Sequence, residues 1–217
     1  MTNFRVEQIP SFETYEWLLY KHYAKRIPSI SYAFGLYDNK KLIGVCTFGS
    51  PPSQALCVGL MGKEYKDYVI ELNRLCVDSN KKNTTSWFVS HCLKLLPQPL
   101  CVVSYADTSQ GHIGKIYQAC NFIYTGLSDK RSEWRMIGSN LHSKTVSEKY
   151  TLEERKSSED FYITERPRKH RYIYFIGNKN QIKDMKSNLK YDIKPYPKGE
   201  TRRYDASYKP FTQGLLF

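Results

Sequence analysis

Three stretches of the chain carry residues whose types and spacing could do chemistry. The first reads Asp78-Ser79-Asn80-Lys81-Lys82-Asn83-Thr84-Thr85-Ser86, between a strand-like and a helix-like segment. A helix start exposes backbone N–H groups and attracts anions. Two lysines beside the small polar residues Asn83, Thr84, Thr85 and Ser86 suit a pyrophosphate, and the plain alternative is an ordinary capped helix start. The second stretch is Tyr105-Ala106-Asp107-Thr108-Ser109-Gln110-Gly111-His112, at the end of an apolar run. Ligands of open sheets gather at strand C-termini. A carboxylate such as Asp107 can there orient or deprotonate an attacking amine. The alternative is that Asp107 or Ser109 merely caps the next helix. The third stretch, Tyr20-Lys21-His22-Tyr23-Ala24-Lys25-Arg26-Ile27-Pro28, places His22 after an amphipathic segment. Histidine is the side chain whose unperturbed titration lies near neutrality, and a surface position is its default. His22, Asp107 and His112 are conceivable metal ligands, but their spacing matches no metal motif and no metal site is expected.

The elements that must position these residues follow from periodicity. Residues 11–24 bring Phe12, Tyr15, Leu18, Leu19 and Tyr23 to helical spacing, with Ser11 as a candidate N-cap. Residues 31–37 and 41–48 are strand-like around the turn Asp38-Asn39-Lys40. Regular structure should end at Gly49-Ser50-Pro51-Pro52-Ser53. Then come a strand at 69–77, a helix at 86–96 closed by Pro97 and Pro99, a buried strand at 100–105, a helix at 109–120 and a strand at 121–127. Another strand is expected at 133–137, a polar loop with one short helix at 140–165, a strand at 172–176 and a basic helix at 178–189. The tail beyond carries prolines and tyrosines and should run extended along the body. This order predicts an α/β fold with a mixed central sheet flanked by helices. It divides into a core over 1–140 and a basic, aromatic-rich segment over 141–217 that completes the sheet, one domain in all.

Composition bounds the function. Of 217 residues 41% are hydrophobic, enough for a globular core, and no apolar run approaches the length of a membrane span. The N-terminus lacks the basic and apolar regions of a secretory signal. Six cysteines form no CxxC pair and sit in apolar surroundings, so buried free thiols in a reducing cytoplasm are expected. The net charge is +12, and from Arg166 to Arg203 twelve Lys/Arg face only three acidic residues with tyrosines interleaved. Cations bind phosphates through counterion release and flat rings stack on bases, which points to nucleic acid over a plain solvated surface.

Several strings resemble the phage Mom family, DNA adenine modification proteins built on the GNAT acyltransferase fold. They are Glu71-Leu72-Asn73-Arg74-Leu75, Ser86-Trp87-Phe88-Val89-Ser90, and Tyr105-Ala106-Asp107 followed by Gln110-Gly111-His112-Ile113-Gly114. Ile116-Tyr117-Gln118-Ala119, Asn121-Phe122-Ile123-Tyr124-Thr125-Gly126, the His22-Tyr23 pair and the stretch from Arg168 to Phe175 extend the resemblance over most of residues 15–176. It implies conversion of adenine in double-stranded DNA to N6-carbamoylmethyladenine, a bulky mark that blocks host restriction enzymes. It also implies an enzyme of the host cytoplasm, with a flipped base. Asp107, His22, Tyr23 and Arg74 are the implied catalytic residues, Arg74 holding the donor or balancing developing charge. Asn83, Thr84, Thr85 and Ser86 would receive the donor. Arg168, Lys169, Arg171, Arg202 and Arg203 would contact DNA. The GNAT phosphate loop is glycine-rich, (Q/R)-x-x-G-x-(G/A), whereas no glycine lies between Asp78 and Ser86 here. The donor is therefore left as acetyl-CoA in an altered pose or an aminoacyl carrier such as a charged tRNA. A homodimer is left open. The rival readings are a non-catalytic DNA-binding protein on a degenerate GNAT scaffold and an ordinary N-acetyltransferase.

Overall fold

The computed structural model describes residues 4–200 except Asn80, Asn140 and His142. Arg202 and Arg203 lie outside the described residues. The strands are β1 Phe4–Gln8, β2 Tyr32–Asp38, β3 Lys41–Gly49, β4 Val69–Val77, β5 Leu100–Asp107, β6 Ile123–Leu127, β7 Arg131–Met136, β8 Phe161–Arg166 and β9 Lys169–Ile176. The helices are α1 Gln54–Tyr65, α2 Thr84–Leu95, α3 Lys115–Ala119, α4 Ser143–Lys149, α5 Leu152–Ser157 and α6 Lys179–Ser187.

Seven strands form one mixed sheet in the order β1-β2-β3-β4-β5-β9-β6, and β7 pairs with β8 in a separate ribbon. Apolar residues alternate along the strands, so each face buries its own layer. Phe34, Phe48, Leu72 and Val102 pack against Phe88, Val89 and Cys92 of α2 on one face. Val69, Cys101, Val103 and Ile173 pack against Cys57, Leu60 and Met61 of α1 and Met185 of α6 on the other. All six cysteines are buried free thiols. Among the described residues no helix is long and apolar enough to cross a membrane.

The mixed sheet and flanking helices agree with the expected fold class, and several elements depart from their expected form. Residues 11–24 are not one helix. Ser11–Thr14 is a 3₁₀ turn whose N-cap is Pro10, not Ser11, and Trp17–Lys21 is a π-helical turn that buries Trp17 and Leu18. Helix α1 was not expected at all; Ser53 caps it by accepting from the Leu56 N–H, 3.3 Å away, directly after the two prolines that read as loop. The helix expected at 109–120 is a 3₁₀ turn, Thr108–Gln110, and then the short α3. Gly111 and Gly114 separate them in the left-handed region, at φ 66° and 79°, which breaks a continuous helix. The loop expected at 140–165 holds two short helices and β8, whose partner β7 covers the strand expected at 133–137.

One feature of the sheet opens a site. Strands β4 and β5 run parallel and pair from Val69–Cys101 to Leu72–Ser104, where pairing stops. The Ser104 hydroxyl donates to the Leu72 carbonyl at 2.9 Å. Beyond that point β4 stays paired with β3 to Val77 and β5 with β9 to Asp107. A wedge opens between residues 73–77 and 105–107. Strand β9 comes from the basic stretch, yet its Tyr172 and Ile173 are fully buried between β5 and β6. Residues 190–200 run along the body, with Lys194 N–H donating to the Tyr124 carbonyl and the Tyr196 hydroxyl to the Phe122 carbonyl.

Tyr172 also fixes the turn before α3. Its hydroxyl donates to the Ile113 carbonyl, and its ring fills the space beside Gly114, where a Cβ would lie 2.3 Å from Cε2. Gly114→Ala adds this overlap to a left-handed backbone and should cost about 3 kcal/mol of stability. Urea denaturation of the two proteins checks this, and an unchanged midpoint would refute the close-approach argument.

Candidate active site

Two cavities open from the wedge. The first, of about 680 Å³, is walled by His22, Tyr23, Thr84, His112, Ile116 and Tyr117 among others. The second, of about 910 Å³, is walled by Arg26, Ala55, Ser128, Arg131, Lys144 and Arg166 among others. Glu71, Asn73, Arg74, Tyr105 and Lys169 border both.

The start of α2 faces the first cavity, and Asn83, Thr84, Thr85 and Ser86 all line it. Asn83 takes the left-handed conformation at φ 64° and gives the helix no side-chain cap. The Ser86 hydroxyl bonds back to the Asn83 carbonyl at 3.1 Å. Thr84 is 3% exposed, and its hydroxyl is buried without a hydrogen-bond partner among the described residues. An orphaned buried hydroxyl costs about 1–3 kcal/mol unless a ligand satisfies it. Of the first-turn N–H groups, that of Thr84 donates to the Lys81 carbonyl at 3.4 Å; a helix start of this kind can receive an anion.

His22 and Tyr23 form the opposite wall. Their rings stack at 4.4 Å, and Tyr23 meets the edge of His112 at 5.9 Å. His22 is buried, and its Nδ1 accepts from the Ala24 N–H at 3.1 Å. Burial, then the positive charges of Arg74, His112 and Lys169, pushes its pKa down to about 3. His22 is therefore a neutral imidazole at all working pH values. Burial, and next the negative charge of Asp107, raises the Tyr23 phenol to about 12. Burial also lowers His112, against the pull of Asp107.

Arg74 projects from β4 past the end of pairing. Its Nε donates to the Arg26 carbonyl at 3.3 Å and its Nη1 to the Asn73 carbonyl at 2.6 Å. Asp107 accepts from the Ser109 N–H at 3.0 Å and hydroxyl at 2.6 Å, and pairs with Lys169 Nζ at 2.9 Å. Burial would raise its carboxyl, but the bonds from Ser109 and Lys169 outweigh it and hold the pKa below the ordinary value. Asp107 lines neither cavity. It reaches the site through Lys169 and caps the 3₁₀ turn.

The expected DNA-contact residues scatter. Lys169 borders both cavities. Arg168 Nε is bound to the Ser128 carbonyl at 2.5 Å. Arg171 is buried, with Nε on the Thr125 hydroxyl at 3.0 Å and its guanidinium 3.4 Å from the centre of the Tyr191 ring. Arg171 and Lys169 still line the second cavity, where Arg26, Arg131, Lys144 and Arg166 from four separate segments join them. Glu71, at the border of both cavities, is a functional candidate that the sequence marks only as a lone carboxylate inside the apolar stretch 69–77. Among the described residues no cluster of three or more His, Cys, Asp or Glu side chains is placed to hold a metal ion.

The His22 shift has a consequence for stability. The unfolded chain binds a proton at His22 below the ordinary value of 6.5, and the folded chain does not until about pH 3. The contribution of this group is intact above pH 6.5 and falls as pH drops toward 3, by up to about 1.4 kcal/mol per pH unit. Between about pH 7.5 and about pH 5 the wild type should lose about 2 kcal/mol more than His22→Gln. Urea denaturation at the two pH values tests this, and equal losses would show that His22 is not held neutral.

Comparison with known proteins fits this arrangement to a family. The Mom protein family model matches residues 3–198. The methylcarbamoylase mom of Escherichia phage Mu is 28% identical over 207 residues, covering 89% of this chain and 83% of that protein. Among solved structures, a Bacillus subtilis acetyltransferase in complex with CoA aligns with a TM-score of 0.44 at 14% identity, over 80% of this chain and 99% of that one. Arabidopsis thaliana NAA60 in complex with acetyl-CoA aligns with a TM-score of 0.48 at 11% identity, over 80% of this chain and all of that one (100%). The family match spans nearly the whole described chain, wedge and both cavities included, and this protein belongs to the Mom protein family.

Proposed function

We propose that this chain is a phage-type DNA modification enzyme that converts adenine to N6-carbamoylmethyladenine and so protects DNA from host restriction. The observation that carries the reading is the meeting of two cavities at one break in the sheet. The first receives a donor whose carrier phosphate rests on the start of α2. The second receives the base, and Arg26, Arg131, Lys144 and Arg166 at its wall meet the DNA backbone. Adenine N6 is paired inside a duplex, so the base leaves the stack to reach the wedge. A DNA-binding protein without catalysis would have no use for the first cavity beside the start of α2. Six free thiols accord with work in a reducing cytoplasm.

The residues then divide the work. The exocyclic amine is a poor nucleophile because its lone pair is delocalised into the ring, so position and charge must compensate. Arg74 and Lys169, at the junction, stabilise the oxyanion that forms as N6 attacks the donor carbonyl. Asp107 holds Lys169 in place. Neutral His22 stacked on the protonated phenol of Tyr23 closes the first cavity and excludes water. The donor is an activated acyl or aminoacyl group on a phosphate-bearing carrier, acetyl-CoA and a charged tRNA being the two forms considered.

The direct test incubates the purified chain with adenine-containing DNA and cell extract, digests to nucleosides and looks for the modified base by mass spectrometry. No modified adenine would refute the reading. Two variants probe the cavities separately. Thr84→Val should leave DNA affinity unchanged and stabilise the free protein by about 1 kcal/mol, by removing an unsatisfied hydroxyl. Modification by this variant should fall because donor binding weakens. Replacing Arg131, Lys144 and Arg166 together by alanine should flatten the salt dependence of DNA binding by about 0.9 log units per lost contact per decade of salt. The loss should be alike for different sequences, since phosphate contacts do not read bases. An unchanged slope would remove DNA from the second cavity.

A further inference from the structure

The ribbon of β7 and β8 stands outside the seven-stranded sheet. Residues 128–168 leave the sheet after β6 and return to it at β9. Side chains alternate between the two faces of such a ribbon, and residues directly opposite share a face. Trp134 and Phe161 lie on one face. There the Arg155 guanidinium of α5 sits 5.6 Å from the centre of the Trp134 ring, and the Tyr150 ring lies 4.9 Å from that of Phe161. The other face carries Arg131 opposite Arg166, Glu133 opposite Thr164 and Arg135 opposite Tyr162.

This second face suits an anion and a flat ring. Arg131 and Arg166 border the second cavity and confront each other across the strands. Like charges directly opposite destabilise a strand pair. Glu133 answers them only in part. It is held by Arg135 Nε at 2.8 Å and lies 3.9 Å from Arg166 Nε, and Arg131 has no ion pair among the described residues. An anion from outside would relieve the pair. Tyr162 lies four residues from Arg166 along β8, about 13 Å at the rise of a strand. It is 48% exposed and has neither hydrogen bond nor ring contact among the described residues. An exposed aromatic beside such cations is a combination that holds nucleic acid, the cations on phosphates and the ring on a base.

We propose that the ribbon lies along the duplex and that Tyr162 enters the base stack in the place of the extruded adenine. The inference rests on the proposed DNA modification and deepens it by naming what holds the duplex open. Extrusion costs the pairing and stacking of one base. A side chain inserted at the vacated step recovers stacking with the bases beside it, as apolar wedges do in proteins that kink DNA. Tyrosine offers a π-face to any neighbour, so the filling is indifferent to flanking sequence. The dimensions agree, since the major groove admits a two-stranded ribbon. Arg131 and Arg166 hold the backbone where the base turns into the second cavity, and the offset of about 13 Å lets cavity and stack be occupied together. Ile163 is 58% exposed, but it shares the other face with Trp134 and points away from this step.

The test measures the affinity of the purified full chain for two duplexes of one sequence, one intact and one with a stable abasic residue in place of a central adenine. The abasic duplex offers the vacated space without the cost of extrusion. The wild type should bind it about tenfold more tightly than the intact duplex, as one stacked ring provides, and Tyr162→Phe should keep that preference. Tyr162→Ala should lose it with an unchanged melting temperature, and Ile163→Ala should behave as the wild type. Equal affinity of the wild type for the two duplexes, or a preference that survives in Tyr162→Ala, would overturn the inference. A parallel arm adds cell extract as the source of donor and counts modified adenine. Tyr162→Ala should form about tenfold less product where adenine faces thymine, and wild-type amounts where it is mispaired with cytosine, because a mispair lowers the cost of extrusion. An equal loss on both substrates would also remove Tyr162 from the stack. No modified base from the wild type would overturn the proposed function instead, and the affinity arm would still decide the role of Tyr162.

Discussion

Everything specific to this molecule depends on the failure of two parallel strands to stay paired. Strands β4 and β5 share four residue pairs and then part, while each remains bonded to its outer neighbour. The split is built from the residues at that point. Ser104 turns its hydroxyl onto the Leu72 carbonyl and so occupies the acceptor that a continuing ladder would have used. The outer partners keep both strands rigid, so the opening is a fixed wedge and not a frayed edge. Backbone groups and side chains that a closed sheet would bury become the floor of two cavities. A site on rigid strands holds its groups more closely than one on loops.

The polar groups around the wedge fall into two sets, and the difference is functional. One set is satisfied within the protein: Asp107 by Ser109 and Lys169, Arg74 by two carbonyls, His22 by the Ala24 amide. These groups are fixed in charge and direction before any ligand arrives, which is what electrostatic preorganisation requires. The other set has no hydrogen-bond or ion-pair partner among the described residues, namely the Thr84 hydroxyl and the Glu71 carboxylate. Their cost to the folded state would be recovered by a ligand that satisfied them.

How legible this was in the sequence depended on the range of the interaction. The strands around 69–77, 100–105 and 172–176 could be read because their apolar runs are local and continuous. The loop containing Asn83 to Ser86 was legible for the same reason: an anion site at a helix start is a local property of the chain. Helix α1 escaped because two prolines and two glycines mask its pattern, and Gly62 does interrupt it with a φ of 78°. The helix expected at 109–120 broke because Tyr172, far away in sequence, claims the space beside Gly114. Glu71 could not be valued from its neighbours in the chain. Its meaning comes from a wedge formed with residues over thirty positions away and from cations already bonded elsewhere.

The basic C-terminal stretch shows why a charge run and a charged surface are different things. Its arginines look like a contiguous phosphate-binding segment, yet β9 lies between two other strands with both faces covered, and Arg171, Tyr172 and Ile173 are buried in succession. Arg171 accordingly faces inward and is held by Thr125 and the Tyr191 ring. Arg168 spends its guanidinium on loop carbonyls. Arg26, Arg131, Lys144 and Arg166 lie far apart in the chain and meet around one cavity because the fold closes there. Arg166 and Lys144 pair at the surface with Glu133 and Glu148, and the excess of positive charge left around the cavity raises the local potential and favours a polyanion. The basic stretch thus spends Arg168 and Arg171 on the sheet and its tail, while its Arg166 and Lys169 join Arg26, Arg131 and Lys144 around the second cavity.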